Sequence, residues 1–350
     1  MFTNLIDTER LIHSLKTVFA CIAGFLLAKI IGVTADQWII ITIIVVMCAQ
    51  LYVGSVMQKS YLRFLGTLIG CLFAAGVIAF FGSSFMTVLL GISISSFLFS
   101  YLATSQENLS YMGTLGAVTT IIILLGQTPS VTFAIERFLE ISIGLMIATL
   151  VSQFVLPIHA RSHLRKSQAA TLQKLHDYYR NTIIINNIDL ESISESDLDE
   201  DIVKMLIKQR QLAKDSVREP FAPAFDSTRF LQTLFYEREI LRAITFMSHA
   251  LSSLKNGNQE MLSTPALQKF NESVLQTLST LINAIRLDNK LEEHIHVPPL
   301  QSLKQEMDDK NATLARKDMF YFDGFLFSAE ILANSLVKLA EIYQVPVYNP

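Results

Sequence analysis

The chain has 350 residues, a formal net charge of −3, 51% hydrophobic residues and only 17% charged residues. Soluble globular proteins carry about 25% charged residues, and disordered chains need low hydrophobicity, so this composition excludes a purely soluble or disordered protein. The small net charge indicates no nucleic-acid partner. The three cysteines show no CxxC spacing, which argues against a disulfide framework or a zinc site.

The charged residues are distributed unevenly along the chain. Residues 1–156 hold six basic and six acidic residues, whereas the remaining 194 residues hold 22 basic and 25 acidic ones. The first part therefore has the composition of a membrane protein and the second that of a soluble one. We predict a transmembrane domain over residues 1–157 and a cytoplasmic helical domain over residues 158–350.

The first part contains long apolar stretches separated by short polar ones. A helix needs about 20 mostly apolar residues to cross about 30 Å of hydrocarbon. Six segments are predicted to span the membrane: 11–31, 38–57, 62–81, 85–103, 111–126 and 135–156. The connections are short, which predicts antiparallel neighbours.

Lysine and arginine in short loops face the cytoplasm. With six spans, the basic residues Arg10, Lys16, Lys59, Arg63, Arg161, Arg165 and Lys166 all fall on one side of the membrane. The sequence therefore predicts that both termini are cytoplasmic.

Two parts of the membrane region resemble each other. The segment 63–70 begins Arg-Phe-Leu and ends Ile-Gly, and the segment 137–144 repeats both elements at an offset of 74 residues. The same offset superposes spans one to three on spans four to six. Because three is an odd number, the second unit is inverted, an arrangement typical of transporters. A chance match between apolar helices is the alternative.

Four charged residues lie at or inside span ends: Arg63, Glu136, Arg137 and Glu140. A charge at the bilayer centre costs about 2.5–3.5 kcal/mol on insertion scales, so such residues face the bundle interior or water. Arg63 has no acidic residue one helical turn away, which suggests an anion-binding group; an arginine reaching the headgroups is the alternative. Glu140 is a candidate proton carrier, and an ion pair with Arg137 is its alternative role.

Small residues recur on one face of the third span. Gly66, Thr67 and Gly70 are candidates for lining a substrate pathway. Close packing between transmembrane helices, which favours small residues, is the alternative role.

Trp38 at the head of span two is followed by Arg63-x-x-Gly66-Thr67-x-x-Gly70 and later by Glu136-Arg137-x-x-Glu140-x-x-x-Gly144. Over about residues 10–160 this order resembles the fusaric acid resistance (FUSC) family, which includes aromatic acid exporters and looks related to plant aluminium-activated malate transporters. The resemblance implies a bacterial inner-membrane carrier or channel for organic anions, often dimeric. Long bacterial members carry two six-span units, whereas this chain has one, which favours a homodimer.

The second part shows helical periodicity and no strand alternation. The predicted helices cover 158–186, 197–218, 227–255, 265–288, 299–315 and 324–344, and we expect an antiparallel bundle. His159 and His163 have a spacing that can hold a metal, but their basic surroundings favour a surface near anionic lipid. No GxxxxGK[ST] or GxSxG string is present, so we expect neither an ATPase nor a cofactor.

These observations predict an all-α membrane protein that exports amphiphilic organic anions such as aromatic carboxylates, driven by an ion gradient. Arg63 and Arg137 would bind the carboxylate through charge-assisted hydrogen bonds, and Glu140 or Glu136 would couple protons. The expected partners are small organic anions, the lipid bilayer and a second copy of the chain. The alternatives are a passive anion channel gated by the cytoplasmic bundle, and a membrane-anchored scaffold; an enzyme is the least supported class.

Overall fold

The structure, a computed structural model, forms two compact units. It describes all residues except 1–7, 33–36, 106, 127, 185–192, 222, 254–263, 288–293, 312–315 and 349–350. The first unit contains Met1–Ala160 and Asp215–Ala222, and the second contains Arg161–Lys214 and Pro223–Pro350.

Helices make up the described part of the first unit almost entirely. They are α1 (Thr8–Ile31), α2 (Gln37–Met47), α3 (Val53–Phe81), α4 (Phe85–Ala103), α5 (Glu107–Leu124) and α6 (Val131–Phe154). Serine side chains cap two of them, since Ser84 accepts a hydrogen bond from the backbone N–H of Thr87 and Ser130 accepts one from that of Phe133. Such caps satisfy backbone donors that the first helical turn leaves unpaired.

Three of the described helices, α1, α3 and α4, are long and apolar enough to cross a membrane. Their outer faces carry exposed large apolar side chains, such as Leu15, Leu72 and Phe97. The apolar helices α2 and α5 are shorter. With 11 residues, α2 extends about 17 Å at 1.5 Å per residue. The structure thus identifies three of the six predicted spans by length and apolarity, and the six-span bundle stays a prediction.

The boundary between the second and third predicted spans is wrong. We expected spans 38–57 and 62–81 with a loop between them, but α2 ends at Met47 and α3 begins at Val53. The predicted loop, 58–61, contains Gln, Lys and Ser, which a helix tolerates. The chain breaks earlier, and the backbone N–H of Val53 bonds to the carbonyl of Ile158 at 3.1 Å. Arg63 therefore lies in the third turn of α3 and not at its end.

The helices of the first unit pack in matched pairs. The contact of α3 with α5 corresponds to that of α6 with α2, and the contact of α4 with α5 corresponds to that of α1 with α2. The contact of α3 with α6 joins two equivalent helices. Exchanging α1–α3 with α4–α6 reproduces this set of pairs. At the α3–α6 contact, the rings of Phe64 and Phe138, which occupy equivalent positions of the repeat, lie 5.5 Å apart. This packing supports the internal repeat; its inversion in the membrane stays a prediction.

The last segment of the first unit packs around residues 158–160. The Glu219 carboxylate accepts a hydrogen bond from the backbone N–H of Ala160 and lies 3.6 Å from the His159 ring nitrogen Nδ1. Arg218 donates a hydrogen bond to Gln58 on α3. These contacts place residues 215–222 in the same unit as α3.

The second unit is also helical. Its elements are α7 (Ala160–Tyr179, which starts at the last residue of the first unit and continues into a π-helical turn, Arg180–Ile184), α8 (Ile193–Val217), α9 (Ser227–Ser253), α10 (Pro265–Leu287), β1 (Ile295–His296), α11 (Leu300–Asn311), α12 (Arg316–Tyr343) and β2 (Val347–Tyr348). Helix α12 packs against α9 and α10, and the buried rings of Phe270 and Phe325 lie in this core. The two short strands pair in parallel; two-residue strands show no alternation, so the sequence did not predict them.

Candidate functional site

Two arginines are buried inside the first unit, with exposed fractions of 6% for Arg63 and 3% for Arg137. Both contact α2. The Nη2 atom of Arg63 donates a hydrogen bond to Thr42 Oγ1 at 3.3 Å, and the guanidinium carbon of Arg137 lies 5.1 Å from the centre of the Trp38 ring. Trp38 and Thr42 are four residues apart, so they share one face of α2 one turn apart.

The two arginines thus belong to one polar cluster, which we define by Thr42, Arg63, Tyr111, Arg137 and Glu140. The inverted repeat predicted Arg63 at the cytoplasmic end of the third span and Arg137 at the outer end of the sixth span. Helix α2 brings them together because α6 packs directly on it and Arg63 reaches it from α3.

Arg137 is paired with a carboxylate and enclosed by aromatic rings. Its Nη1 atom lies 2.9 Å from Glu140 Oε2, and its Nη2 atom donates to Glu140 Oε1 at 3.1 Å. The second contact is a hydrogen bond between charged groups, which is stronger than one between neutral groups. The Phe133 ring lies 4.9 Å from the guanidinium, on which the ring of Trp38 also packs. The pair predicted from the i, i+3 spacing is therefore present, and it neutralises one of the two arginines.

Arg63 keeps its positive charge uncompensated. Within the part of the chain that the structure describes, it has no carboxylate partner, and its polar neighbours are the Thr42 hydroxyl and Tyr111. A second cation is close, since Lys59 Nζ lies 4.3 Å from the centre of the Tyr111 ring. The cluster therefore has a net positive charge, which suits an anion.

The two candidate proton carriers differ in exposure. Glu140 is buried, with 4% of its surface exposed, and it belongs to the cluster. Glu136 is exposed on the outer surface of α6. The geometry therefore favours Glu140 over Glu136 as the residue that could bind a proton inside the cluster.

The small residues of α3 face α5. A Cβ atom at Gly66 would lie 2.5 Å from the carbonyl oxygen of Met112, and one at Gly70 would lie 2.6 Å from that of Gly116. Such close approach of two helix backbones requires glycine. The structure therefore gives Gly66 and Gly70 a packing role. Thr67 is buried beside them, and substrate contact by these three residues stays a prediction.

Sequence reasoning missed three polar residues of the first unit. Thr42 and Tyr111 join the cluster, but a single polar residue in an apolar helix carries no distinctive signal. Lys16 was assigned to a cytoplasmic flank; the structure buries it to 1% exposure, and its Nζ donates to the carbonyl of Ser152 at 3.3 Å. Its position inside the apolar helix α1 could have indicated that this lysine is buried. No group of three or more metal-binding side chains occurs among the described residues.

Comparison with known proteins places these observations in context. A sequence model described as "Fusaric acid resistance protein family" matches residues 10–321 of the chain. Among curated proteins, the chain is similar to "Inner membrane protein YeeA" of Escherichia coli (strain K12), with 21% identity over 281 residues. That alignment covers 79% of this chain and 76% of the relative.

Proposed function

We propose that this chain, which belongs to the fusaric acid resistance protein family, is a gradient-driven carrier that exports amphiphilic organic anions such as aromatic carboxylates. The family is one of membrane transporters and efflux proteins, and the chain is a multi-pass membrane protein associated with the lipid bilayer.

The uncompensated charge of Arg63 is the observation that carries the proposal. A buried guanidinium is costly unless a partner satisfies it, and here the described partners are a hydroxyl and a phenol. A substrate carboxylate would supply the missing negative charge and accept two parallel hydrogen bonds. Trp38 and Phe133, which pack on the Arg137 guanidinium, lie in the same region and offer apolar surface to an aromatic body.

The ion pair of Arg137 and Glu140 offers a means of coupling. Protonation of Glu140 would remove one charge of the pair and leave the Arg137 guanidinium to bind a second oxygen of the substrate. Loss of the proton would restore the pair and displace the anion. The movement of the anion would then be linked to the binding and release of a proton at the same cluster.

The remaining predictions about the assembly belong to this proposal. The matched packing of α1–α3 and α4–α6 supports two repeat units, and we propose that they are inverted in the membrane with both chain termini in the cytoplasm. The bacterial inner membrane is the proposed location, because the Escherichia coli relative is named as an inner membrane protein. A homodimer is proposed because the chain carries one six-helix unit.

Anion flux in proteoliposomes tests the proposal. Aromatic carboxylates, malate and chloride are offered to the wild type and to Arg63→Ala, with and without an imposed pH gradient. We expect uphill movement of an aromatic carboxylate that requires the gradient, and at least a tenfold loss of flux in Arg63→Ala. Lys29→Ala is the matched control, since Lys29 is an exposed cation of α1 and its removal should leave flux unchanged.

Other outcomes identify the alternatives. Downhill movement that is indifferent to the pH gradient would replace the carrier by a passive channel. Absence of flux for every anion, in a preparation that remains folded, would contradict transport and favour the membrane-anchored scaffold.

A further inference from the structure

A cavity of about 560 Å³ lies wholly within the second unit. Its volume falls in the range of about 300–1,000 Å³ that is usual for small-molecule sites. Arg161 and Arg165 reach it from α7, Arg229 from α9, Tyr343 from the end of α12, and Phe225 from the segment before α9. Three stretches that are distant in sequence thus converge on it. The function proposed for the first unit does not use it.

The described lining of this cavity is strongly basic. Three residues carry a guanidinium, Arg161, Arg165 and Arg229, whereas Asp226 carries the one carboxylate among them. Asp226 Oδ1 accepts a hydrogen bond from the backbone N–H of Arg229 at 2.9 Å, as expected of a cap at the start of α9. Its single negative charge leaves the described lining with more positive than negative side chains. The cavity therefore attracts anions.

The acid near Tyr343 does not cancel this charge. Glu237 lies near Tyr343, and burial raises the pKa of its carboxyl to about 8. It is therefore mostly protonated, and so uncharged, at neutral pH.

Aromatic rings stand beside the guanidinium groups. The guanidinium carbon of Arg161 lies 5.9 Å from the centre of the Phe225 ring, and that of Arg229 lies 5.8 Å from the centre of the Tyr343 ring. Rings and guanidinium planes both offer flat surfaces for stacking, and the guanidinium also binds a carboxylate through two parallel bonds. This combination selects a flat apolar body with an attached acid.

We propose that this cavity binds a small planar organic anion, an aromatic ring system that carries a carboxylate. The site is separate from the cluster around Arg63 and does not depend on the proposed transport function. If the first unit carries anions of the same class, the second unit senses them; that consequence alone rests on the transport proposal.

Equilibrium binding to the full-length chain in detergent tests the site, with radiolabelled 2-naphthoate as the probe. The chain is used as Arg63→Ala, so that the proposed site of the first unit does not contribute. We expect saturable binding of one 2-naphthoate per chain. Naphthalene-2-carboxamide, which has the same shape without the charge, should compete at least tenfold more weakly. Inorganic phosphate should also compete at least tenfold more weakly, because it lacks the ring.

Substitutions locate the site. Arg165→Ala and Arg229→Ala should each weaken binding at least tenfold, and Ala284→Phe should do so by filling the cavity without changing its charge. Arg242→Ala is the matched control and should bind as before, because Arg242 lies outside the cavity and pairs with Glu239 at 2.7 Å. Gel filtration and circular dichroism verify that each variant is folded.

Several results would overturn the proposal. They are absence of saturable 2-naphthoate binding in the folded chain, equal affinity in Arg165→Ala and Arg229→Ala, and equally strong competition by the carboxamide or by phosphate. None of them bears on flux through the first unit. Failure of the transport proposal would instead appear in proteoliposomes and leave this binding unchanged.

Discussion

Buried carboxyl groups in the two units are satisfied in different ways. Glu140 lies opposite Arg137 in an ion pair that one hydrogen bond and one further close contact hold together. Glu237 is fully buried without an ion pair among the described residues, and its neighbour Gln209 uses its amide nitrogen on Thr171 Oγ1 at 2.9 Å. The remaining atom of that amide, Gln209 Oε1, has no donor within the described residues, so a protonated Glu237 carboxyl suits the site.

This arrangement predicts that the second unit loses stability as the pH rises. Burial raises the pKa of Glu237 from its usual 4.5 to about 8. Its contribution is therefore complete below pH 4.5, falls as the pH rises towards 8, and is constant above that value. Melting temperatures in detergent should decrease over this interval for the wild type and stay nearly level for Glu237→Gln. Glu239→Gln changes an acid two residues further along α9 that pairs with Arg242, and it should retain the wild-type slope. A level wild-type profile would contradict the prediction.

The paired carboxylate of the first unit predicts a different result. Glu140→Gln keeps the size of the side chain but cannot carry a proton, so transport should lose its dependence on the pH gradient. Glu136→Gln is the matched comparison, because Glu136 lies on the same helix but is exposed, and its flux should keep that dependence. Flux of 2-naphthoate into proteoliposomes at two imposed gradients measures both variants. Gradient-dependent flux in Glu140→Gln would remove Glu140 from the coupling step.

At the level of elements, the sequence predicted the positions of helices better than the positions of the breaks between them. Apolar periodicity predicted α4 at 85–103, where the structure has Phe85–Ala103. The break after α2 was misplaced, because the polar residues at 58–61 are compatible with a helix, whereas the break at 48–52 shows no strong polar signal. Local composition does not report the hydrogen bond from Val53 to Ile158, which joins residues far apart in the chain.

The contact of α3 with α5 yields a prediction about two glycines of one helix. A methyl group at Gly70 would lie 2.6 Å from the carbonyl oxygen of Gly116, whereas one at Gly76 would meet nothing within 4 Å. Gly70→Ala should therefore separate the helices and lower the melting temperature by several degrees. Gly76→Ala should leave it unchanged or raise it slightly, since alanine favours a helix by about 1 kcal/mol over glycine. Equal melting temperatures for the two variants would contradict the packing role of Gly70.

At the level of the whole molecule, composition and repeat carried the prediction further than motifs did. The step in charge density near Pro157 lies close to the boundary of the two units at Ala160. The 74-residue offset agrees with the matched packing of α1–α3 and α4–α6. Neither the cluster nor the cavity was predictable, because Thr42 and Tyr111 come from separate helices, and Arg165, Arg229 and Tyr343 come from three others. Such sites exist only after long-range packing.

The six-span arrangement itself depends on the shortest helix. If α2 crosses the bilayer despite its 11 residues, Cys48, which directly follows it and is exposed, faces the cytoplasm. All variants carry Cys21→Ala and Cys71→Ala, and the first of them keeps Cys48 as its single cysteine. Three further variants also carry Cys48→Ala and place the single cysteine near the end of another helix, as Ser83→Cys, Ser105→Cys or Thr128→Cys.

An impermeant maleimide applied to intact cells reads the side of each thiol. We expect labelling at positions 83 and 128, and protection at Cys48 and position 105 until the membrane is opened. This alternation follows from cytoplasmic termini and six crossings, since each crossing exchanges the exposed side. Labelling of Cys48 together with protection of position 83 would mean that α2 does not cross as an independent span. The first three helices would then no longer mirror the last three, and the inverted repeat would be wrong even though the helices pack in matched pairs.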